Sequence, residues 1–198
     1  MSEHITSRRT LLGGALSATT LGAMVTAAAP AEASVPTQPA SDFFLLINGI
    51  KGDSTNAAHA KTIEVLDWTF GVETLISPTN TGSGASKSKP KDFTFVARTS
   101  IASPALFLAA AKGTHFTAAT LFARRIGVEQ PYDYLTIKLE NLFVTSYVVA
   151  PDSVDAFPTD VVHMDYGKLT MTYKPQLPTG QIGTPVTAGF DFINNVAL

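Results

Sequence analysis

The sequence predicts a mainly β domain. Its long bent antiparallel strands form a closed or nearly closed barrel, or two packed sheets that share strands, with one short α-helix. Three observations carry this prediction. Apolar and polar residues alternate over several long runs. The alternation changes phase inside two of these runs, which indicates β-bulges. Only one segment combines helical spacing with helix start and stop signals.

The first strand and a bent second strand open the domain. Residues 43–47 are a continuous apolar run that Asn48-Gly49 ends, so we expect a strand buried on both faces. Residues 62–73 are long enough for a bent strand. Their apolar residues change phase near 65–67, where we expect a bulge.

A loop and a third strand follow. Residues 77–91 contain no hydrophobic residue larger than alanine, which predicts a long exposed loop. Phe93, Phe95 and Ala97 then alternate with polar residues, as expected for a strand with one buried face.

The helix is predicted between Ser103 and Gly113. We expect Ser103 to be the N-cap and Pro104 the first helical residue, because both residue types favour those positions. Lys112 and Gly113 are typical of a helix C-terminus. Leu106, Phe107, Ala110 and Ala111 give the helical spacing of apolar residues.

Three further strands complete the domain. They are expected at residues 117–125, 134–149 and 161–174. In the last of them the apolar residues change parity after Gly167, so we expect a second bulge there.

The N-terminal segment is typical of a twin-arginine signal peptide. Residues 1–33 contain Arg8-Arg9, a weakly apolar stretch, and Ala31-Glu32-Ala33 as a cleavage site. We therefore expect export, cleavage after Ala33, a linker over 34–41 and a folded domain over 42–198. The protein would be secreted to the extracellular space or the periplasm. A Sec signal and an uncleaved membrane anchor are the alternatives.

Composition and charge argue against several classes of partner and of chemistry. The chain has 198 residues, a formal net charge of −2 and no cysteine. The near balance of charge argues against nucleic acid or an anionic membrane as a partner. The lack of cysteine excludes disulfides, thiolate nucleophiles and cysteine-ligated metals.

No constellation of catalytic, cofactor-binding or metal-ligating residues is predicted. His59, His115 and His163 lie in separate elements without the spacing of a metal pair, although His163 and Asp165 share a strand face. Residues 82–88 lack the glycine before lysine and the following helix of a phosphate loop. We therefore expect no enzyme activity and no cofactor.

Two other groups of residues favour structural roles. Trp68 lies on the apolar parity of its strand, which favours core packing over a platform for sugar stacking. The basic residues are too few for a nucleic-acid footprint, and solvated faces or a rim for subunit contact suit them better. They are Lys87, Lys89, Lys91, Arg124 and Arg125.

The mature domain resembles the Hcp (haemolysin-coregulated protein) family, the tube proteins of type VI secretion systems. The resemblance is carried by phrases whose order and spacing match over residues 42–191. These phrases are DFFLLINGIKGDS (42–54), IEVLDW (63–68), ASPALFLAAAKG (102–113), YLTIKL (134–139), YGKL (166–169), YKPQ (173–176) and PVTAGFD (185–191).

The resemblance implies a small β-barrel with a helix on its side and hexameric rings that stack into a tube. It implies the protein itself as the main partner, with secretion-system or effector partners beside it. The signal peptide departs from the family pattern, because ordinary Hcp proteins carry none. The alternatives are a monomeric extracellular binding module on a related barrel and a secreted hydrolase.

Overall fold

The computed structural model describes residues 42–74, 76–77, 84–85, 87–127, 130–151 and 157–198. The predicted signal peptide (1–33) and linker (34–41) lie outside these residues, as do residues 78–83 and 86 of the predicted loop 77–91.

These residues form ten strands and one helix, so the mainly β prediction is confirmed. The elements are β1 (Asp42–Ile47), β2 (Ile63–Glu73), β3 (Ile76–Ser77), β4 (Gly84–Ala85), β5 (Lys89–Arg98), α1 (Ser103–Lys112), β6 (His115–Arg125), β7 (Tyr132–Pro151), β8 (Pro158–Tyr173), β9 (Val186–Asp191) and β10 (Val196–Ala197). The predicted strands are all present. The prediction of a long exposed loop over 77–91 is wrong in part, because Ser77 of β3 pairs with Gly84 of β4 and β5 begins at Lys89.

Strand pairing decides between the two predicted architectures. Each of β1, β2, β5, β8, β7 and β6 pairs with the next in that order, and β6 pairs back with β1, all antiparallel. These six strands therefore close into a barrel. β9 and β10 extend the sheet beyond it, alongside the C-terminal half of β8.

The barrel is filled by one apolar core. Phe93 and Phe95 of β5 face Met164 and Val162 of β8, and all four side chains are fully buried. Trp68 packs against this core beside Phe43, with ring centroids 5.9 Å apart. The core-packing role predicted for Trp68 is confirmed.

β1 departs from its prediction. Phe44 and Leu45 are buried on opposite faces of the strand, but Leu46 is 41% exposed, so the outer face is only partly covered. The cover over Phe44 comes from His59 in the β1–β2 connection, whose ring stacks on Phe44 with centroids 4.9 Å apart.

The predicted bulge in β2 is confirmed. Val65 pairs with Ala97 and Asp67 with Val96, so Leu66 is the extra residue. The bulge restores Trp68 and Phe70 to the core side and leaves Leu66 about half exposed.

The bulge predicted at Gly167 is wrong. The pairing of β7 with β8 continues without a shift from Glu140–Lys168 to Leu142–Tyr166, which places Asn141 opposite Gly167. Asn141 has a positive φ of 55°, and both strands change their buried parity at this pair. The two strands therefore bend together without an extra residue. A Cβ at Gly167 would lie 2.5 Å from Cδ1 of Ile193, so a larger residue there would have to displace the Ile193 side chain.

The N-cap assignment of the helix is also wrong. Ala102 is the N-cap, and Ser103 is the first helical residue. The C-terminal prediction is confirmed, because Gly113 adopts the left-handed conformation with φ of 63° and its N–H donates to the carbonyl of Ala109. No described helix has the length and apolar character needed to span a membrane.

Candidate functional site

The three histidines that the sequence singled out lie apart from one another. His163 Nδ1 lies 3.0 Å from Thr94 Oγ1, while Asp165, on the same strand face, accepts a bond from the backbone N–H of Tyr166. The ring of His115 contacts Phe143. Among the described residues, no group of three or more His, Cys, Asp or Glu side chains could hold a metal ion.

His59 holds the β1–β2 connection against the barrel. Its ring lies between Phe44 and Phe122, and its Nε2 lies 2.9 Å from Oδ1 of Asp133. Arg124 Nη1 lies 3.3 Å from the same carboxylate oxygen. The imidazole is buried between two rings, so this cluster serves packing rather than contact with a substrate.

The basic residues do not form one patch. Arg125 donates to the hydroxyl of Tyr132 and stacks on the rings of Tyr132 and Tyr134. Lys91 lies 3.5 Å from Glu73, and Lys87 donates to the carbonyl of Ile193. Each of these cations is engaged within the chain.

A buried carboxylate that sequence reasoning missed ties the helix to the barrel. Asp160 is 1% exposed and accepts hydrogen bonds from Thr99 Oγ1 at 2.9 Å and Tyr147 OH at 3.1 Å. The hydroxyl of Ser103 also donates to Asp160 and accepts a bond from the N–H of Ser100.

This cluster lacks the geometry of a hydrolase. A serine nucleophile needs a base on its hydroxyl and an open approach for substrate. Ser103 instead donates directly to a carboxylate and is itself buried. Burial, and secondly the hydrogen bond to Asp160, raise the pKa of the Tyr147 hydroxyl. The cluster therefore fixes the N-terminus of α1.

Among the described residues, an apolar sheet face lies uncovered where β8 and β9 extend beyond the barrel. Paired residues of antiparallel strands place their side chains on the same face. Ile137 of β7 is fully buried, its partner Met171 of β8 is 39% exposed, and Ala188 of β9 is exposed. On the face of the sheet that continues the core-facing side, the side chains thus become more exposed from β7 to β8 and β9.

We call this surface the arm face. Its members are Met171 and Tyr173 of β8 and Val186 and Ala188 of β9, all exposed. The first three residues of β9 have no strand partner on their outer edge among the described residues, because β10 pairs with Phe190 and Asp191 and the N–H of Leu198 donates to the carbonyl of Gly189.

A depression with mixed chemistry lies on another part of the surface. Its volume is about 380 Å³, and Leu66 and Phe157 line it together with Asp53, Glu64 and Arg98. The guanidinium of Arg98 lies 5.8 Å from the centre of the Phe157 ring. The bulge in β2 is what directs Leu66 into this depression.

Comparison with known proteins connects this architecture to one family. The family profile described as "Type VI secretion system effector, Hcp" matches residues 44–173. Protein hcp1 of Pseudomonas aeruginosa is 31% identical over 159 residues, which cover 79% of this chain and 98% of that protein.

Solved structures have the same fold. Hcp1 from Salmonella typhimurium is 29% identical and superposes with a TM-score of 0.68, covering 80% of this chain and 99% of that one. A structure described as a type six secretion system protein is 23% identical with a TM-score of 0.74, covering 80% and 100% of the two chains. A closed barrel of bent strands, a profile match over most of the domain and a relative aligned along nearly its whole length agree: this chain belongs to the Hcp family of type VI secretion proteins.

Proposed function

We propose that this chain is an exported, non-enzymatic structural protein that assembles into hexameric rings after its signal peptide is removed. The twin-arginine route would deliver the domain, cleaved after Ala33, to the periplasm or the extracellular space. The rings would stack into tubes, as the family resemblance implies.

The arm face carries the proposal. Its three large side chains, Met171, Tyr173 and Val186, are 39%, 44% and 66% exposed and lie side by side on two paired strands. Contiguous exposed apolar surface of this kind is often an interaction site. Burying such a patch against another copy supplies the hydrophobic driving force for association.

A ring constrains how copies meet. In a closed ring each subunit uses two different surfaces, one towards each neighbour, whereas a two-fold dimer uses one surface twice. The arm face supplies one of the two surfaces. The unpaired outer edge of β9 beside it adds backbone groups that a neighbour can bond.

Light scattering of the chain that begins at Ser34 tests the ring. We expect the mass of a hexamer at micromolar concentration, and rings with a central hole in negative-stain images. Val186→Glu should abolish assembly, since an unpaired charge buried in an apolar contact costs about 3–5 kcal/mol, or more than a hundredfold in affinity.

Thr187→Glu is the matched control. Thr187 adjoins Val186 in β9, is also exposed, and lies on the opposite face, where its hydroxyl contacts Thr172. We expect it to leave the hexamer intact. A strictly monomeric chain from Ser34 would contradict the ring and favour the monomeric binding module, with the depression at Leu66 and Phe157 as its first ligand site to test.

Stacking has its own test. Residues 74–88 connect β2 to β5 and contain most of the predicted loop 77–91, and shortening this connection should weaken tube formation and spare the ring. The absence of enzyme activity is tested by His59→Ala, His115→Ala and His163→Ala. A hydrolytic activity that one of these substitutions abolishes would overturn the structural role.

A further inference from the structure

We infer that the outer surface of the barrel docks an extended peptide in which an apolar residue and a lysine or arginine are separated by one residue. The site is a pair of depressions that share Glu64 and Leu66 of β2, and we call it the β2 groove. The inference concerns a single subunit and does not depend on the ring.

The floor of the groove is the outward side of β2. Ile63 and Val65 are buried in the core, so Glu64 between them points out of the barrel. Leu66 is the extra residue of the bulge and stays outside next to Glu64. An apolar and an acidic side chain therefore lie together on one outer surface.

One half of the groove offers an apolar contact. It is the depression of about 380 Å³ described above, in which Leu66 is 49% and Phe157 65% exposed. Its volume lies within the range of about 300–1,000 Å³ that ligand pockets occupy. The guanidinium of Arg98 lies over the Phe157 ring and places a positive charge at this half. An uncharged apolar side chain of a ligand therefore fits here better than a second cation.

The other half of the groove is acidic. It is a depression of about 490 Å³, and the exposed residues that line it are Asp42, Thr55, Glu64 and Leu66. Neither Asp42 nor Glu64 has an ion pair or a side-chain hydrogen bond among the described residues. The lining of this half includes no lysine or arginine. A lysine or arginine of a ligand would thus meet two carboxylates that have no partner of their own.

The distance between the two halves fits an extended chain. The residues that line the groove come from β1, β2 and the end of β5, which are neighbours in the sheet. Two spacings between neighbouring strands span about 10 Å, which an extended chain covers with about three residues. The first and third of these residues point their side chains in the same direction, so one side chain enters each half. A metal ion or a free amino acid would fill only one half.

Fluorescence anisotropy of a labelled peptide tests the groove. The probe is Gly-Leu-Ser-Arg-Ser-Gly with both termini blocked, used together with its reversed sequence, since either chain direction brings leucine and arginine to the two halves. For the chain from Ser34 we expect a dissociation constant on the order of 10–100 μM, as suits a short peptide on an open surface. Glutamate in place of the arginine of the probe should weaken binding at least about tenfold.

Two substitutions in the groove should weaken binding of the probe. Glu64→Lys opposes the charge of the arginine and should raise the dissociation constant at least about tenfold. Leu66→Ser removes most of an apolar contact and should raise it about fivefold. Both residues are exposed, so the variants should fold, and the fluorescence of Trp68 checks that they do.

The matched controls make the same changes outside the groove. Glu73→Lys reverses an exposed carboxylate at the other end of β2, and Leu46→Ser replaces an exposed leucine of β1. Neither residue lines either depression. Both controls should leave the dissociation constant within about twofold of that of the unsubstituted chain.

Three results would overturn the inference. They are the absence of saturable binding at about 1 mM peptide, equal binding of the glutamate probe, and binding that Glu64→Lys and Leu66→Ser leave unchanged. Light scattering of the same samples reports the ring separately. Hexamers that fail to bind the probe would overturn the groove and leave the ring standing, whereas monomers that bind it would support the groove and contradict the ring.

Discussion

Replacing Asp160 by alanine should destabilise the domain more than other single changes at a carboxylate. The substitution leaves the hydroxyls of Thr99, Ser103 and Tyr147 without their common acceptor in a buried site. The start of α1 would then lose its link to β8. We expect the domain to fold less stably and the helix to loosen first.

The structure sets the size of the effect. Each hydrogen bond to a charged group contributes about 1.5–3 kcal/mol. The cost of burying the carboxylate offsets part of that sum, so truncating one partner of such a network costs about 3–5 kcal/mol. Asp160→Asn keeps one acceptor oxygen and should lose only about 1–2 kcal/mol.

Urea unfolding of the chain from Ser34 measures this loss. Trp68, the one tryptophan in the sequence, is half-buried against the core and reports unfolding by fluorescence. The measurements should be made on chains that also carry Val186→Glu. Assembly would otherwise raise the apparent free energy of unfolding by an amount that depends on protein concentration. With a urea slope of about 2 kcal/mol per molar, the midpoint should fall by about 2 M.

Asp165→Ala is the matched control, because it also removes one carboxylate from β8. Asp165 lies in the same strand five residues on, and it is exposed on the outer face. We expect a loss below about 0.5 kcal/mol. If Asp160→Ala lowered the free energy of unfolding by no more than Asp165→Ala does, the buried hydrogen-bond network would not be what holds the helix against the barrel.

Three further predictions concern other sites. The backbone N–H of Asn194, and secondly the ammonium of Lys168, hold the pKa of Asp191 well below its ordinary 3.8, so its contribution to stability is present above that pH and is lost as the pH falls. Asp191→Asn should therefore flatten the fall in melting temperature below pH 4, and an unchanged acid profile would contradict this. Burial raises the pKa of Tyr166 to about 12, and its hydroxyl has no hydrogen-bond partner among the described residues, so Tyr166→Phe should be neutral or stabilise by up to about 1 kcal/mol in the same urea assay. A clear decrease in the free energy of unfolding would show that the Tyr166 hydroxyl makes a hydrogen bond. Arg8→Lys with Arg9→Lys should block export and leave the domain folded, as immunoblots of cell fractions would show, and undiminished export would exclude the twin-arginine route.

The strands could be predicted because burial imposes a period of two on them. The same rule located the bulge in β2, where one extra residue moves Trp68 to the core side. At Gly167 the rule gave the wrong cause, because a parity change arises either from an inserted residue or from a bend that both strands share. The positive φ of Asn141, across the pair from Gly167, produces the second kind. A single strand's sequence contains no information about its partner's bend.

The candidate site was harder to predict. Asp160 has the same parity as Val162 and Met164, so its inward direction could have been read from the sequence. Its bond to Ser103 joins residues 57 positions apart, and that of His59 to Asp133 joins residues 74 apart. No local pattern encodes such pairs. The arm face was also missed, since strand β9 was not predicted and its exposure depends on where the barrel closes.

Closure of the barrel also sets an order of events during synthesis. β5 leaves the ribosome about 60 residues before β8, the strand that it pairs with across the seam. At ordinary translation rates this delay is on the order of several seconds. Through that interval the edge of β5 and the face that carries Phe93 and Phe95 have no partner, which is the condition under which nascent β proteins aggregate. A chaperone that binds extended apolar strands should therefore engage the nascent chain between these two points, and its release should coincide with the emergence of β8.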